Sequence, residues 1–151
     1  MALSKELLAK LGEGSDLARA CDAASVDLKV LLACWDGLAS EEEKMLGAQQ
    51  ASILTAEQVK ERVEDRLAKV RAGEPEEDRI LEGLRVLIGF VPEALREEVG
   101  RALLLEGLPI VAADKVLSKQ ERELVVNELV PALGLDRTMA ENLLDTVEAK
   151  R

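Results

Sequence analysis

The stretch Ile110–Leu133 reads IVAADKVLSKQERELVVNELVPAL and sets the organisation of the chain. An apolar segment runs up to Asp114, a short linker leads to Ser118, and a new amphipathic pattern follows. Glu121 stands three residues after Ser118, which is the capping-box spacing at the start of a helix. The stretch therefore predicts two helices joined by a turn, with a carboxylate on either side of that turn.

The same pattern occurs earlier, in the segment LLACWDGLASEEEKML that begins at Leu31. Each residue of the pattern has a counterpart 78 positions earlier: Asp36 for the aspartate, Ser40 for the serine and Glu43 for the glutamate. The chain thus contains a helix–Asp–turn–Ser–x–x–Glu–helix unit twice. A repeated unit of this kind is typical of a binding module rather than an enzyme.

The composition predicts an all-α fold in one domain, residues 1–151. Hydrophobic residues make up 48% of the chain and aromatic residues only 1%, so the core must consist of aliphatic side chains in a helix-favouring mixture. Apolar periodicity indicates seven or eight helices and no strand. The break at 72–78 separates two pseudo-symmetric halves, about 25–72 and 92–150, and the helix within 1–14 either docks on the bundle or stays peripheral.

Charge and cysteine usage restrict the function. The formal net charge is −10, which disfavours nucleic acid as a partner and favours cations or basic proteins. The chain has no histidine, the commonest general base, and this argues against an enzyme. Cys21 and Cys34 are too few for a disulfide framework and are interpreted as reduced, buried thiols. Without an export signal or a membrane span, we expect a cytoplasmic protein that reaches membranes only through a partner.

The four carboxylates of the two units are the candidate metal ligands: Asp36, Glu43, Asp114 and Glu121. If the two hairpins are related by pseudo-symmetry, these side chains converge. Clustered carboxylates without His or Cys suit hard cations such as Ca²⁺, Mg²⁺ or Mn²⁺. The alternative is that aspartate and Ser-x-x-Glu serve only as helix stops and caps, each contributing about 1 kcal/mol without any ligand.

The two units are not equivalent in charge. The first has four carboxylates and no basic residue between Asp36 and Glu43, whereas the second carries Lys115 and Lys119 beside its two carboxylates. These lysines can neutralise the second half-site, so the first unit is expected to dominate any cation binding.

Other charged residues have a simpler interpretation. A charged helix face is predicted to be solvated, and it consists of Lys60, Glu61, Arg62, Glu64, Asp65 and Arg66. Asp22 and Asp27 lie upstream on a helix, and the sequence gives them no position near the turn.

The first unit reads A-x-x-D-G-x-x-S-x-x-E, and the second half reads VAADKVLSKQERELVVNELVPALGLD; together they resemble the tellurite-resistance TerB family over roughly residues 25–150. The resemblance implies a helical bundle of two related halves, an acidic metal-binding surface, and a role in bacterial stress or tellurite resistance. The family's acidic positions fall on the four candidate ligands named above. The second unit departs from the motif at Lys115, where the family has glycine.

The sequence thus predicts a non-enzymatic, TerB-like helical module that binds a divalent cation and acts with protein partners in a stress-response assembly. The alternative is a helical adaptor whose acidic face docks a basic protein without metal.

Overall fold

The computed structural model describes residues 4–12, 15–35, 51, 53–112 and 119–149, with side chains undescribed at 33–35, 108–112, 119–121 and 147–149. The described residues form seven helices and no strand, which confirms the all-α prediction. They are α1 (Lys5–Gly12), α2 (Asp16–Trp35), α3 (Ala56–Arg71), α4 (Glu76–Phe90), α5 (Glu93–Ala112), α6 (119–132) and α7 (Arg137–Ala149). The helix predicted to start at Ser40 lies outside the described residues.

Local sequence signals set several helix ends. Thr55 caps α3 in a capping box with Gln58, because each side chain bonds the other residue's backbone N–H. Ser15 Oγ accepts a hydrogen bond from the Ala18 N–H at the start of α2. Gly73 and Gly134 follow α3 and α6 with φ angles of 80° and 68°, a left-handed conformation that suits glycine.

The core is aliphatic and centres on α2. This helix packs against α5 over the most extensive contact in the bundle and also against α1, α3 and α4. Leu28 and Leu31 of α2 and Leu103 of α5 are fully buried. Phe90, in contrast, is 75% exposed, so the only phenylalanine contributes little to the core.

The N-terminal helix is docked on the bundle. Leu7, Leu8 and Leu11 of α1 are buried and belong to the main apolar cluster. Burial of a leucine side chain contributes about 1.5–3 kcal/mol, which favours the docked position.

The two prolines near the repeat have different effects. Helix α5 continues through Pro109 to Ala112 and is not split there. Helix α6 comprises an α-helical segment Lys119–Leu124, a π-helical turn Val125–Leu129 and a short α-helix Val130–Ala132. Pro131 lacks the N–H that would bond the carbonyl four residues earlier, and the wider π-turn accommodates this loss. The π-turn therefore lies directly before the segment that contains Pro131.

None of the described helices has the length and apolar character needed to cross a membrane.

Candidate functional site

Three of the four predicted cation ligands lie outside the residues that the structure describes: Asp36, Glu43 and Asp114. Glu121 lies in the first segment of α6, but the position of its side chain is not described. Within the described part of the chain, no three cysteine or acidic side chains are arranged to hold a metal ion. The paired-carboxylate site stays a prediction, and the structure instead defines how the helices that precede the two units are arranged.

The helices that precede the two units, α2 and α5, cross in direct contact. Gly107 of α5 lies so close to α2 that a Cβ atom there would overlap Leu28 Cδ2 and come within 2.7 Å of Leu32 Cδ1. Beside this contact, Lys29 Nζ lies 3.6 Å from Glu106 Oε2. Glycine at position 107 therefore permits an approach of the two backbones that a larger residue prevents.

The crossing point follows the offset of the repeated units. Adding 78 to positions 28 and 29 gives 106 and 107. A pseudo-twofold rotation that exchanges the halves would therefore exchange the Lys29–Glu106 contact with the Leu28–Gly107 contact. Both contacts are present, so the two helices cross at equivalent positions of the repeat.

The two crossing helices run in the same general direction. Lys10, near the C-terminal end of α1 and six residues before α2 begins, pairs with Glu98 in the early part of α5 at 3.1 Å. If the helices were antiparallel, Glu98 and Asp16 would lie on opposite sides of the crossing, roughly 30 Å apart at about 1.5 Å per residue. The tight turn between α1 and α2 keeps Lys10 near Asp16. In an antiparallel arrangement Lys10 would therefore lie too far from Glu98 to form the ion pair. The C-terminal ends of α2 and α5 therefore lie on the same side of the bundle.

The described parts of both helices reach only a short way beyond the crossing. The last described residues are Trp35 of α2 and Ala112 of α5, six and five residues beyond Lys29 and Gly107. With a rise of about 1.5 Å per residue and an interaxial distance of about 8–10 Å, these two residues lie roughly 15 Å apart or less. Each predicted carboxylate unit follows one of these residues in the sequence.

The charged pair at the crossing is buried. The Lys29 side chain is only 1% exposed and that of Glu106 is 11% exposed. Burial lowers the pKa of Lys29, while the charge of Glu106 and its hydrogen bond oppose that effect. A pair in such a setting contributes little net stability, but removing one partner leaves a buried charge and is costly. The pair therefore restricts how α2 and α5 can slide past each other.

Asp22 holds the chain that enters α3. Its Oδ2 atom accepts hydrogen bonds from the backbone N–H groups of Ile53 and Leu54, at 2.8 and 2.9 Å. Asp22 itself is fully buried. The carboxylate thus satisfies two backbone donors that precede the Thr55 cap, which is a structural role.

Asp27 joins α2 to α3 through two arginines. Its two oxygens accept from Arg62 Nε and Nη2, both at 2.7 Å, in a bidentate pair. Arg66 Nε and Nη2 lie 3.3 and 3.2 Å from the same oxygens. The prediction of a solvated face is therefore wrong for Arg62 and Arg66, because their i,i+4 spacing places both toward α2. The other four residues of that face are exposed: Lys60, Glu61, Glu64 and Asp65.

Glu76 extends this set of ion pairs to α4. Its side chain is 1% exposed and accepts hydrogen bonds from Arg66 Nη1 and Arg79 Nη1, each at 2.8 Å. Burial raises the pKa of Glu76, but the hydrogen bonds and charges of the two arginines outweigh it and hold the pKa below its usual range. The carboxylate therefore stays ionised, and Arg79 also contacts Glu74 at 3.0 Å. The result is a continuous charge network that links α2, α3 and α4.

The chain matches no protein-family model, and it has no significant match among the curated proteins or among the solved structures.

Proposed function

We propose that the chain is a non-enzymatic helical binding module, similar to the TerB family, that holds a divalent cation with its two Asp–Ser–Glu units. The observation that supports this proposal best is the crossing of α2 and α5 at positions 28–29 and 106–107, which the repeat makes equivalent. Because these helices run in the same general direction, their ends supply both units from one side of the bundle. A shared site needs that arrangement.

The chemistry of the candidate ligands favours a hard cation. Asp36, Glu43, Asp114 and Glu121 offer carboxylate oxygens, the donors that Ca²⁺, Mg²⁺ and Mn²⁺ prefer. A bound cation would supply charge neutralisation that links the two halves. The first unit, with four carboxylates and no basic residue, contributes most of the affinity, since Lys115 offsets part of the charge of the second unit. In this proposal the loaded module docks protein partners in a stress-response assembly.

Thermal unfolding of chelator-treated protein tests the proposal, with Ca²⁺, Mg²⁺, Mn²⁺ or Zn²⁺ added at millimolar concentration and the ionic strength matched. A ligand present at about 100 times its Kd stabilises the native state by about 2.7 kcal/mol. For a domain of this size, that corresponds to roughly 5–10 °C in Tm. We expect one ion to produce such a rise and Asp36→Asn to abolish it.

The matched control for this experiment is Asp65→Asn. Asp65 lies on the exposed face of α3, where its side chain is 64% exposed. Its substitution by asparagine removes the same charge as Asp36→Asn without changing either unit. The control must keep the full ion-dependent rise. An equal rise in Asp36→Asn, Asp114→Asn and Asp65→Asn would contradict the proposal, because the ion would then act elsewhere or through general screening.

A second candidate is a metal-free adaptor that docks a basic protein through acidic surface. The net charge of −10 favours it. In that case the Ser-x-x-Glu units act only as caps, no divalent ion raises Tm beyond the control, and partner binding weakens as salt rises. A selective rise in Tm lost in Asp36→Asn would exclude this candidate.

A further inference from the structure

A groove of about 480 Å³ opens between α2, α3 and α4, away from the ends of α2 and α5 that precede the carboxylate units. Its floor is apolar and includes Ala24, Ile80 and Leu84, all of them buried. Small residues, Ala23 of α2 and Gly83 of α4, leave the groove open, and a Cβ atom built on Gly83 would have no neighbour within 4 Å. Its volume lies in the range of about 300–1,000 Å³ that is typical of small-molecule sites.

Four arginines line this groove: Arg19, Arg62, Arg66 and Arg79. Asp16 and Asp27 line it with them, and Glu74 and Glu76 bind two of the four arginines from beside the groove, so four positive charges meet four negative charges. The whole chain carries −10. The groove is therefore balanced in charge, unlike the chain as a whole, and it repels an anion less than a uniformly acidic surface would.

The ion pairs of the network orient the arginines without using all their donors. Arg62 binds Asp27 through Nε and Nη2, and Arg79 binds its two glutamates through Nη1 alone. The N–H groups on Arg62 Nη1 and Arg79 Nη2 thus have no acceptor among the described residues. Arg19 is exposed and has no ion pair within the described part of the chain. A guanidinium held at one edge by a carboxylate is pre-organised to bind a second anion at another edge.

We propose that this groove binds a small organic anion, with a carboxylate or phosphate group on the arginines and a short apolar body on the floor. Internal ion pairing alone accounts for Asp27 and Glu76, but not for Arg19 or for the open apolar floor beside the cluster. The charged and apolar linings belong to the same cavity, so a single molecule that carries both an anionic group and an apolar body can contact both. This site is independent of the cation units, so either one can fail its test without the other.

Calorimetric titration with four probes tests the ligand chemistry. Octanoate and octyl phosphate carry both features, octanol has no charge, and inorganic phosphate has no apolar body. We expect saturable binding of octanoate, octyl phosphate or both, with at least tenfold weaker binding of octanol and inorganic phosphate. Which of the two charged probes binds more tightly identifies the head group. Absence of binding by both at millimolar concentration, or equal binding of octanol, would overturn the proposal.

Two glycine variants locate the site. Gly83→Leu places a side chain in the groove, whereas Gly89→Leu adds the same side chain to the same helix outside it, and neither new Cβ meets an atom within 4 Å. Both replace a helical glycine, so both are expected to fold at least as stably as the parent. We expect Gly83→Leu to weaken octanoate or octyl phosphate binding by at least tenfold and Gly89→Leu to leave it unchanged. Equal affinity in the two variants would place the binding elsewhere and refute the assignment.

A second pair of variants tests the charge. Arg19→Gln removes a groove arginine that has no ion pair among the described residues. Arg85→Gln removes an exposed arginine of α4 that pairs with Glu82 outside the groove. Only Arg19→Gln should weaken binding of the charged probes, by about fivefold. In the parent protein, the amide chemical shifts of groove residues should move on titration with octanoate or octyl phosphate but not with octanol. Identical losses in both variants would indicate a non-specific charge effect and would contradict the proposal.

Discussion

The contact of Gly107 with α2 gives a prediction with a definite sign. In Gly107→Ala, the new methyl group would overlap Leu28 Cδ2 and lie 2.7 Å from Leu32 Cδ1, well inside the normal carbon–carbon contact of about 3.5–4.0 Å. Both leucines are fully buried, so they have little room to move. The variant must therefore separate the helices or force a leucine out of its rotamer.

The magnitude follows from two opposing effects. Overpacking a core costs about 1–3 kcal/mol, and one strained rotamer adds about 0.5–1.5 kcal/mol. Alanine recovers about 0.8–1.0 kcal/mol of helix propensity relative to glycine. We expect Gly107→Ala to lose about 2 kcal/mol of unfolding free energy. Gly83→Ala, where the methyl group meets nothing within 4 Å, should instead gain about 0.8 kcal/mol.

Urea unfolding followed by far-ultraviolet circular dichroism measures both variants against the parent protein. The expected result is a lower midpoint for Gly107→Ala and a higher midpoint for Gly83→Ala, with unchanged slopes. A Gly107→Ala variant as stable as Gly83→Ala would refute the close crossing of α2 and α5. It would also remove the main support for placing the two carboxylate units on one side.

Three further results are expected. Asp27→Asn should lower the free energy of unfolding, measured in urea, by about 2 kcal/mol. This is less than the loss expected for a fully buried ion pair, because the Arg62 side chain is 39% exposed. An unchanged midpoint would show that the network is not formed. The pKa of Glu76 is depressed in the folded state, so its contribution to the free energy of unfolding is present above its unfolded pKa and is lost as pH falls through its folded pKa. Over that acidic range, Glu76→Gln should therefore lose less stability than the parent protein. Parallel profiles of stability against pH would contradict this. Burial, together with the charge of the adjacent aspartate, raises the pKa of the Cys21 thiol to about 11. In a Cys34→Ser background, a disulfide reagent should therefore label Cys21 only when the protein unfolds. Rapid labelling of the native protein would contradict the burial of Cys21.

Local features of the sequence were sufficient to predict the helical fold. The Thr55 cap, the break around Gly73 and the stop at Gly134 depend on residues within a few positions of each other. Such signals act through backbone hydrogen bonds and φ angles, which do not require knowledge of the partner helix. The prediction of an all-α bundle is confirmed for the same reason.

The charge network was not predicted, because it depends on contacts between distant parts of the chain. Arg62 and Arg66 lie 35 and 39 residues from Asp27, and periodicity within α3 cannot reveal that pairing. A signal was nevertheless present in α2, where Asp22, Asp27 and Lys29 are the only charged residues in the segment 20–35. Buried charges require partners, so these three residues predict that charged side chains of other helices face α2.

The groove could not be predicted for a related reason. A cavity results from the packing of three helices, and alanine or glycine at its walls has the same sequence pattern as an ordinary core position.

Calorimetric titration of the chelator-treated protein with the ion that raises its Tm tests the central claim most directly, using the parent protein, Asp36→Asn, Asp114→Asn and Asp65→Asn. If the two units share one site, the parent and Asp65→Asn bind about one ion per chain, and both Asp36→Asn and Asp114→Asn lose that binding. Binding of the same affinity and stoichiometry in all four proteins, or in none of them, would contradict the account.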